Sequence, residues 1–133
     1  MPVADTELLF AFNPKDPKHP YVNKLLRKIR GVLVPDTALL EFQLTLKARG
    51  RKPSEVREAL LALYQILGEK KLSERKTISL SLLILQSELE AKYQLSYFDS
   101  LLAASALTAD KQIISDDKVF DKIPELKRIP IST

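Results

Sequence analysis

YFDSLLAASALTADKQIISDDKVF, residues 97–120, carries three signals in one run. An apolar helical stretch opens with an acid, Asp99, in its first turn. The short aliphatic strand QIIS follows, and it stops at the acidic pair Asp116 and Asp117. Ser96 precedes Asp99 by three residues, the spacing of a helix N-terminal capping box. Where helices flank a parallel sheet, the carboxyl ends of the strands form the rim on which α/β proteins build their sites. Acids left at the end of QIIS therefore call for partners elsewhere in the chain.

Working outward, strand and helix patterns alternate. PVAD at 2–5 reads as a first strand ending at Asp5, followed by the helical turns of TELLFAF. Pro14, Pro17 and Pro20 forbid a regular helix through NPKDPKHP, so the next helix is expected from Tyr21 to about Arg30, with Val22, Leu25, Leu26 and Ile29 inward. VLVP at 32–35 is aliphatic enough for a central strand, and Asp36 is a good N-cap for a helix ending near Gly50. Leu39, Leu40, Phe42, Leu44 and Leu46 of that helix are able to bury, which makes Glu41 among them an awkward charge unless it faces a cleft. The next helix, capped by Ser54, has the stripe Val56, Leu60, Leu63, Tyr64 and Leu67. KKLSERK reads as a polar connection, TIS at 77–79 as a brief strand, and SLLILQSELEAKYQL as a helix whose apolar start lies on the sheet. A last strand is expected over 128–131, at an edge because Pro130 lacks a donor. This alternation predicts a three-layer α/β/α sandwich with a mainly parallel four- or five-stranded sheet, and a length of 133 residues predicts a single domain.

Composition removes several chemistries. There is no cysteine, hence no disulfide frame and no thiolate, and one histidine leaves no usual zinc ligand set. His19, inside the Pro-rich loop, is expected at the solvated surface. Gly31, Gly50 and Gly68 are too scattered for a dinucleotide or phosphate loop. No apolar run approaches the ~20 residues of a membrane span and no signal-like N-terminus is present, so a soluble cytoplasmic protein without membrane contact is expected. Net charge is +4, and the first 66 residues hold 11 Lys and Arg against 7 Asp and Glu, whereas the remainder is balanced. That asymmetry is compatible with a polyanionic partner.

Carboxylates are the remaining material. Asp5 closes the first strand, Glu41 lies on the helix after the second, Asp99 is in a helical first turn, and Asp117 follows QIIS. On one parallel rim the four can converge. Such a cluster makes sense around a hard divalent cation, Mg²⁺ or Mn²⁺, which oxygen ligands suit and which offsets their repulsion. Chemistry of that kind activates a water and neutralises a phosphoryl oxygen, as phosphodiester hydrolysis requires.

Four blocks resemble the PIN-domain family, and within it the VapC-like toxins and their archaeal relatives: VADTELL at the start, VPDTALLEF with Glu41, DSLLAASAL from Asp99, and IISDDKVFDKI with Asp117. They span nearly the whole chain in the family's order. The resemblance implies a metal-dependent ribonuclease with Asp5, Glu41, Asp99 and Asp117 as its acidic quartet and Thr6 and Ser115 as supporting hydroxyls. It also implies a homodimer and, for toxin versions, an antitoxin protein encoded nearby. Two positions depart from the pattern: Glu7 stands where the family has Asn or Ser, and Val119 where many members have another acid. Asp116, as an added metal ligand, and Asp121 are the acids at hand to compensate. Arg49, Arg51 and Lys52 are the expected contacts to RNA phosphates. Rival readings are a catalytically silent PIN-like scaffold or nucleic-acid-binding module, a receiver-like phosphotransfer domain, and a DNA-directed nuclease. The receiver reading expects an acidic pair after the first strand, where only Asp5 stands.

Overall fold

The computed structural model describes all 133 residues. In chain order the elements are β1 (Val3–Ala4), α1 (Thr6–Phe10), α2 (His19–Lys28), β2 (Leu33–Pro35), α3 (Asp36–Ala48), α4 (Pro53–Glu69), β3 (Ser73–Arg75), α5 (Leu80–Tyr93), α6 (Tyr97–Thr108), β4 (Gln112–Ile114) and β5 (Lys127–Ile129). A 3₁₀ turn at Lys118–Lys122 joins the last two strands. The sheet has the order β3-β2-β1-β4-β5 with every pairing parallel, and helices cover it in a three-layer α/β/α sandwich. Val3 is in register with Leu33 on one side and Ile113 on the other.

That order sets where a site can form. From β1 the chain builds outward through β2 and β3 on one side, then returns to add β4 and β5 on the other. The two directions part between β1 and β4, and a crevice opens beyond their carboxyl ends at such a reversal. Asp5 follows β1 and Ser115 follows β4, with Asp5 N–H donating to the Ile114 carbonyl at 3.1 Å. Beneath the crevice lies the core, including Val3, Ala4, Leu8, Val34, Leu102, Ile113, Ile114 and Phe120.

Sequence and structure part company at several edges. The third strand is Ser73–Arg75, inside the expected polar connection, and not TIS at 77–79. This strand pairs only with β2 and is fully exposed, so it has no apolar signature to read. Thr77 and Ile78 instead give their backbone N–H groups to the Asp36 carboxylate at 3.0 Å. The start of α5 does not lie on the sheet. Leu82, Gln86 and Leu89 face in, while Leu80 (76% exposed), Leu83 and Ile84 face out. Leu40 and Leu44 of α3 and Tyr64 of α4 are likewise exposed, because those helices bury only one side of a Leu-rich surface. α2 begins at His19, with Pro20 in its first turn where no donor is required. The His19 ring is not merely solvated: Nδ1 lies 2.9 Å from the Ala11 carbonyl and Nε2 lies 3.3 Å from Asn23 Nδ2, which ties the Pro-rich loop to α1. The last strand is Lys127–Ile129, one residue earlier than expected, and it is an edge strand.

Asp36 is the main polar tie between layers. It is the first residue of α3, and Pro35 occupies the cap position. Its carboxylate accepts from Thr37 N, Thr77 N, Thr77 Oγ1 and Ile78 N, binding the start of α3 to the start of α5. Ser105 of α6 completes the junction, its buried hydroxyl lying 2.8 Å from Thr37 Oγ1 and 2.9 Å from Thr77 Oγ1. Desolvation of Asp36 favours its neutral form, but the hydrogen bonds from Thr77, Ile78 and Thr37 outweigh it and hold the carboxyl below its ordinary value. A depressed acid contributes stability above the unfolded-state value and loses it as pH falls through the folded one. Asp36→Ala is therefore expected to lower unfolding stability by about 1–3 kcal/mol at neutral pH in urea titrations, with the difference from wild type shrinking below about pH 4.

Candidate active site

Asp5 anchors the crevice. It is the cap of α1 and is 8% exposed; one carboxylate oxygen accepts from Thr6 N–H at 2.6 Å and the other from Ser115 Oγ at 2.5 Å. Thr6 Oγ1 in turn donates to Glu41 Oε1, which fixes the second turn of α3 beside α1. Asp99 lies in the first turn of α6, whose N-terminus is capped by Ser96 Oγ accepting from Asp99 N–H at 3.2 Å. Asp117 caps the 3₁₀ turn by accepting from Val119 N–H at 3.0 Å, and its own N–H reaches Ser115 Oγ at 3.0 Å. Four chain segments thus deliver acids to the carboxyl rim, and the hydroxyls of Thr6 and Ser115 orient two of them.

Mutual repulsion links the acids in series. Burial is the largest influence on Asp5 and, with the charges of Glu7 and Glu41, pushes its carboxyl up to about 7 against the hydrogen bonds from Ser115 and Thr6. Glu41 is raised by desolvation and by Asp99, against its bond from Thr6. Asp99 is raised by desolvation and by Asp117, partly relieved by Ser96 and Lys122. Asp5, Glu41, Asp99 and Asp117 therefore form a continuous field of like charge. They are not drawn into a ligand shell, since no three Asp, Glu or His side chains of the chain are grouped closely enough to hold an ion together. The chemistry of the donors nonetheless fits a hard divalent cation: carboxylates and hydroxyls only, buried at Asp5, half-buried at Glu41 and Asp99 and exposed at Asp117, with positive charge scarce among them.

Neither compensating acid joins the row. Asp116 turns to the C-terminal tail, accepting from Ile131 N at 2.7 Å, Ser132 N at 3.0 Å and Ser132 Oγ at 2.7 Å, with Lys18 Nζ 2.9 Å from Oδ2. Desolvation opposes ionisation there, but those donors overcome it and hold Asp116 far below the usual carboxylate range. Asp121 pairs with Arg128 at 3.0 and 3.2 Å. Both oxygens of each acid are engaged by these donors.

Glu7 was legible only as a departure from a pattern, and its setting explains how the fold accepts it. Its Oε1 receives Asp116 N–H at 2.5 Å and Ser115 Oγ at 3.2 Å, and Lys18 Nζ stands 3.3 Å from Oε2. Lys18 escaped sequence reasoning. The available clue was a lysine in a proline-punctuated loop a few residues past α1, which is too common to single out. Arg49, Arg51 and Lys52 are all exposed at the turn between α3 and α4, with the Arg49 guanidinium 4.7 Å above the Phe10 ring.

The PIN domain family profile matches residues 3–126. No curated protein matches the chain. Solved structures with the same fold include FitAcB from Neisseria gonorrhoeae (TM-score 0.73, 14% identity, 98% of each chain covered). VapBC2 from Rickettsia felis, bound to a DNA fragment from its promoter, aligns with TM-score 0.69 at 18% identity over 96% of each chain. The sarcin-ricin loop cleaving toxin VapC20 from Mycobacterium tuberculosis aligns with TM-score 0.71 at 16% identity over 91% of this chain and 93% of that one.

The raised carboxyl of Asp5 has a measurable consequence. Because its charged form is disfavoured in the fold, Asp5 costs nothing below pH 3.8 and progressively destabilises the protein as pH rises from there to about 7. In metal-free buffer, Asp5→Asn is expected to raise stability by about 1–4 kcal/mol at about pH 8, and by almost nothing at about pH 4. Urea unfolding at the two pH values checks both the gain and its sign.

Proposed function

This chain belongs to the PIN-domain family, and on that premise we propose that it is a divalent-metal-dependent endoribonuclease, acting in the cytoplasm as the toxin of a toxin–antitoxin pair. The observation that carries the reading is the row of four mutually repelling acids, Asp5, Glu41, Asp99 and Asp117, at the crevice where the strand order reverses. The descriptions of the solved relatives, toxin–antitoxin complexes and a toxin that cleaves the sarcin–ricin loop, support RNA as substrate and an antitoxin as partner. No helix is long and apolar enough to cross a membrane.

In this mechanism Asp5, Glu41, Asp99 and Asp117 would hold Mg²⁺ or Mn²⁺, which would supply an activated water and neutralise charge on a phosphoryl oxygen. Thr6 and Ser115 keep Glu41 and Asp5 pointed into the crevice through their hydroxyl donors. Lys18 pairs with both Glu7 and Asp116, offsetting one of their two negative charges beside the place where a phosphate must approach. Arg49, Arg51 and Lys52 receive the flanking phosphates. The one histidine is bound to the Ala11 carbonyl and Asn23, away from the acid row, which leaves no imidazole for metal-free cleavage. A second reading, a catalytically silent RNA-binding module, is favoured by the lack of any three acids within joint ligating reach.

A dimer surface accompanies the proposal. Asp36 fastens the starts of α3 and α5 together, and beside that junction Leu40, Leu44, Ile78, Leu80 and Ile84 are exposed. Apolar side chains gathered on two neighbouring helices match a contact between copies.

RNA cleavage in Mn²⁺, yielding 3′-hydroxyl and 5′-phosphate ends, is expected to stop in EDTA and to fall at least about 100-fold with Asp99→Asn. Persistence in EDTA would falsify the metal-dependent reading, and RNA binding with no cleavage under any divalent ion would select the silent module. For the surface, light scattering is expected to show a dimer that Leu80→Glu combined with Ile84→Glu converts to a monomer. A wild-type monomer at high micromolar concentration removes that part of the proposal.

A further inference from the structure

A cavity of about 490 Å³ lies between α1, α3 and α4 and has no role in holding the acids. Phe10, Phe42, Leu46 and Leu63 line it, with Arg49, Arg51, Asn13 and Glu55 among the polar residues around it. Phe10 is one helical turn beyond Thr6, and Phe42 directly follows Glu41, so α1 and α3 each carry both an acid-row residue and a cavity wall. Along α3 the eight residues from Glu41 to Arg49 span about 12 Å.

We propose that this cavity receives one nucleobase of a single-stranded RNA substrate, held near the bond being cut and stacked on the platform made by Arg49 and Phe10. The inference rests on the ribonuclease reading above and adds to it how the substrate is gripped. Three observations point to a base. First, the walls are apolar and aromatic, with Phe10 and Phe42 at 4.5 Å between ring centroids. Second, the Arg49 guanidinium already lies 4.7 Å over Phe10, forming the planar cationic and aromatic platform on which unpaired bases stack. Third, the charge is complementary to a polyanion. Arg49 and Arg51 line the cavity, Lys47 in the last turn of α3 and Lys52 before α4 flank them in sequence, and the lone acid lining it, Glu55, is committed to capping α4 through the Lys52 N–H at 2.9 Å. Asn13 spends its side-chain oxygen on Lys15 N–H at 3.0 Å, which leaves its amide group as a donor for a base edge. An apolar peptide would use the same walls but has no need of a basic rim.

Binding and cleavage separate the two claims. The probe is a fluorescein-labelled single-stranded RNA of one fixed mixed sequence, with an abasic nucleotide walked through it, and affinity is read by anisotropy in EDTA. One abasic position adjacent to or one removed from the scissile bond is expected to weaken binding by about 5- to 100-fold. Arg49→Gln, an exposed substitution that leaves the core intact, and Phe10→Leu are expected to weaken intact RNA similarly and to become indifferent to that abasic position. A flat scan with a wild type that still cleaves overturns the base pocket, gives the cavity to an apolar peptide partner, and leaves the nuclease standing. A position-specific loss with a wild type that never cleaves keeps the pocket and removes the catalytic reading.

Discussion

The constraint on which this architecture turns is a carboxylate buried at the end of the central strand. Asp5 lies where β1 and β4 part, with only the Thr6 amide and the Ser115 hydroxyl as donors and with Glu7 and Glu41 as unfriendly neighbours. A buried negative charge is tolerated when donors surround it or a cation pairs with it. Two donors are too few to cancel burial and two nearby acids, so its proton is held to about neutral pH. Fold stability has to come from elsewhere, and the sheet and its helices supply it.

The surrounding polar ties can be read as the response to that constraint. Most of the positive charge near the row goes to the acids beside it. Lys18 sits between Glu7 and Asp116, Arg128 holds Asp121, and the tail amides of Ile131 and Ser132 close on Asp116. These pairings engage Asp116 and Asp121 and only partly offset Glu7, leaving Asp5, Glu41, Asp99 and Asp117 in mutual repulsion. At the far side, Asp36 and Ser105 lock α3 to α5 and α6, the helices carrying Glu41 and Asp99 being α3 and α6. Repulsion between two carboxylates would otherwise push those helices apart, and a buried hydroxyl junction resists that sliding because separating its groups leaves hydrogen bonds unmade away from water.

Legibility in the sequence followed burial. VLVP and QIIS stood out because interior strands are apolar on both faces, and the alternation with helices sufficed for the three-layer sandwich. SER at 73–75 did not, since an exposed edge strand is written in charges. Helix periodicity failed where a helix is apolar all round: nothing in LSLLILQ says which leucines face the sheet. The acids were legible as residues at strand ends and helix starts, but their companions were not. Asp36 meets Thr77 and Ile78 more than forty residues away, and Lys18 meets Asp116 almost a hundred residues away. Such contacts carry no local periodicity and are set only by the completed fold. Asp116 shows the same limit from the other side, since adjacency to Asp117 in sequence says nothing of a strand end that aims the two side chains in different directions.

A chain selected for stability alone would place an amide at position 5 and an apolar residue at position 41, as burial of both sites favours. Keeping acids there holds part of the folding free energy in electrostatic repulsion, largest above neutral pH, where Asp5 is ionised. That repulsion is a property of the free crevice. Any positive charge that enters it relieves Asp5, Glu41 and Asp99 together, because each is raised by a neighbour in the same row. The gain on binding therefore exceeds what one exposed carboxylate provides, and it grows with the same burial that weakens the empty fold. Instability at the rim and affinity for a cation are, on this account, a single physical quantity measured in two states, which is why the acids sit at the strand reversal and not on an open surface where water would dissipate both.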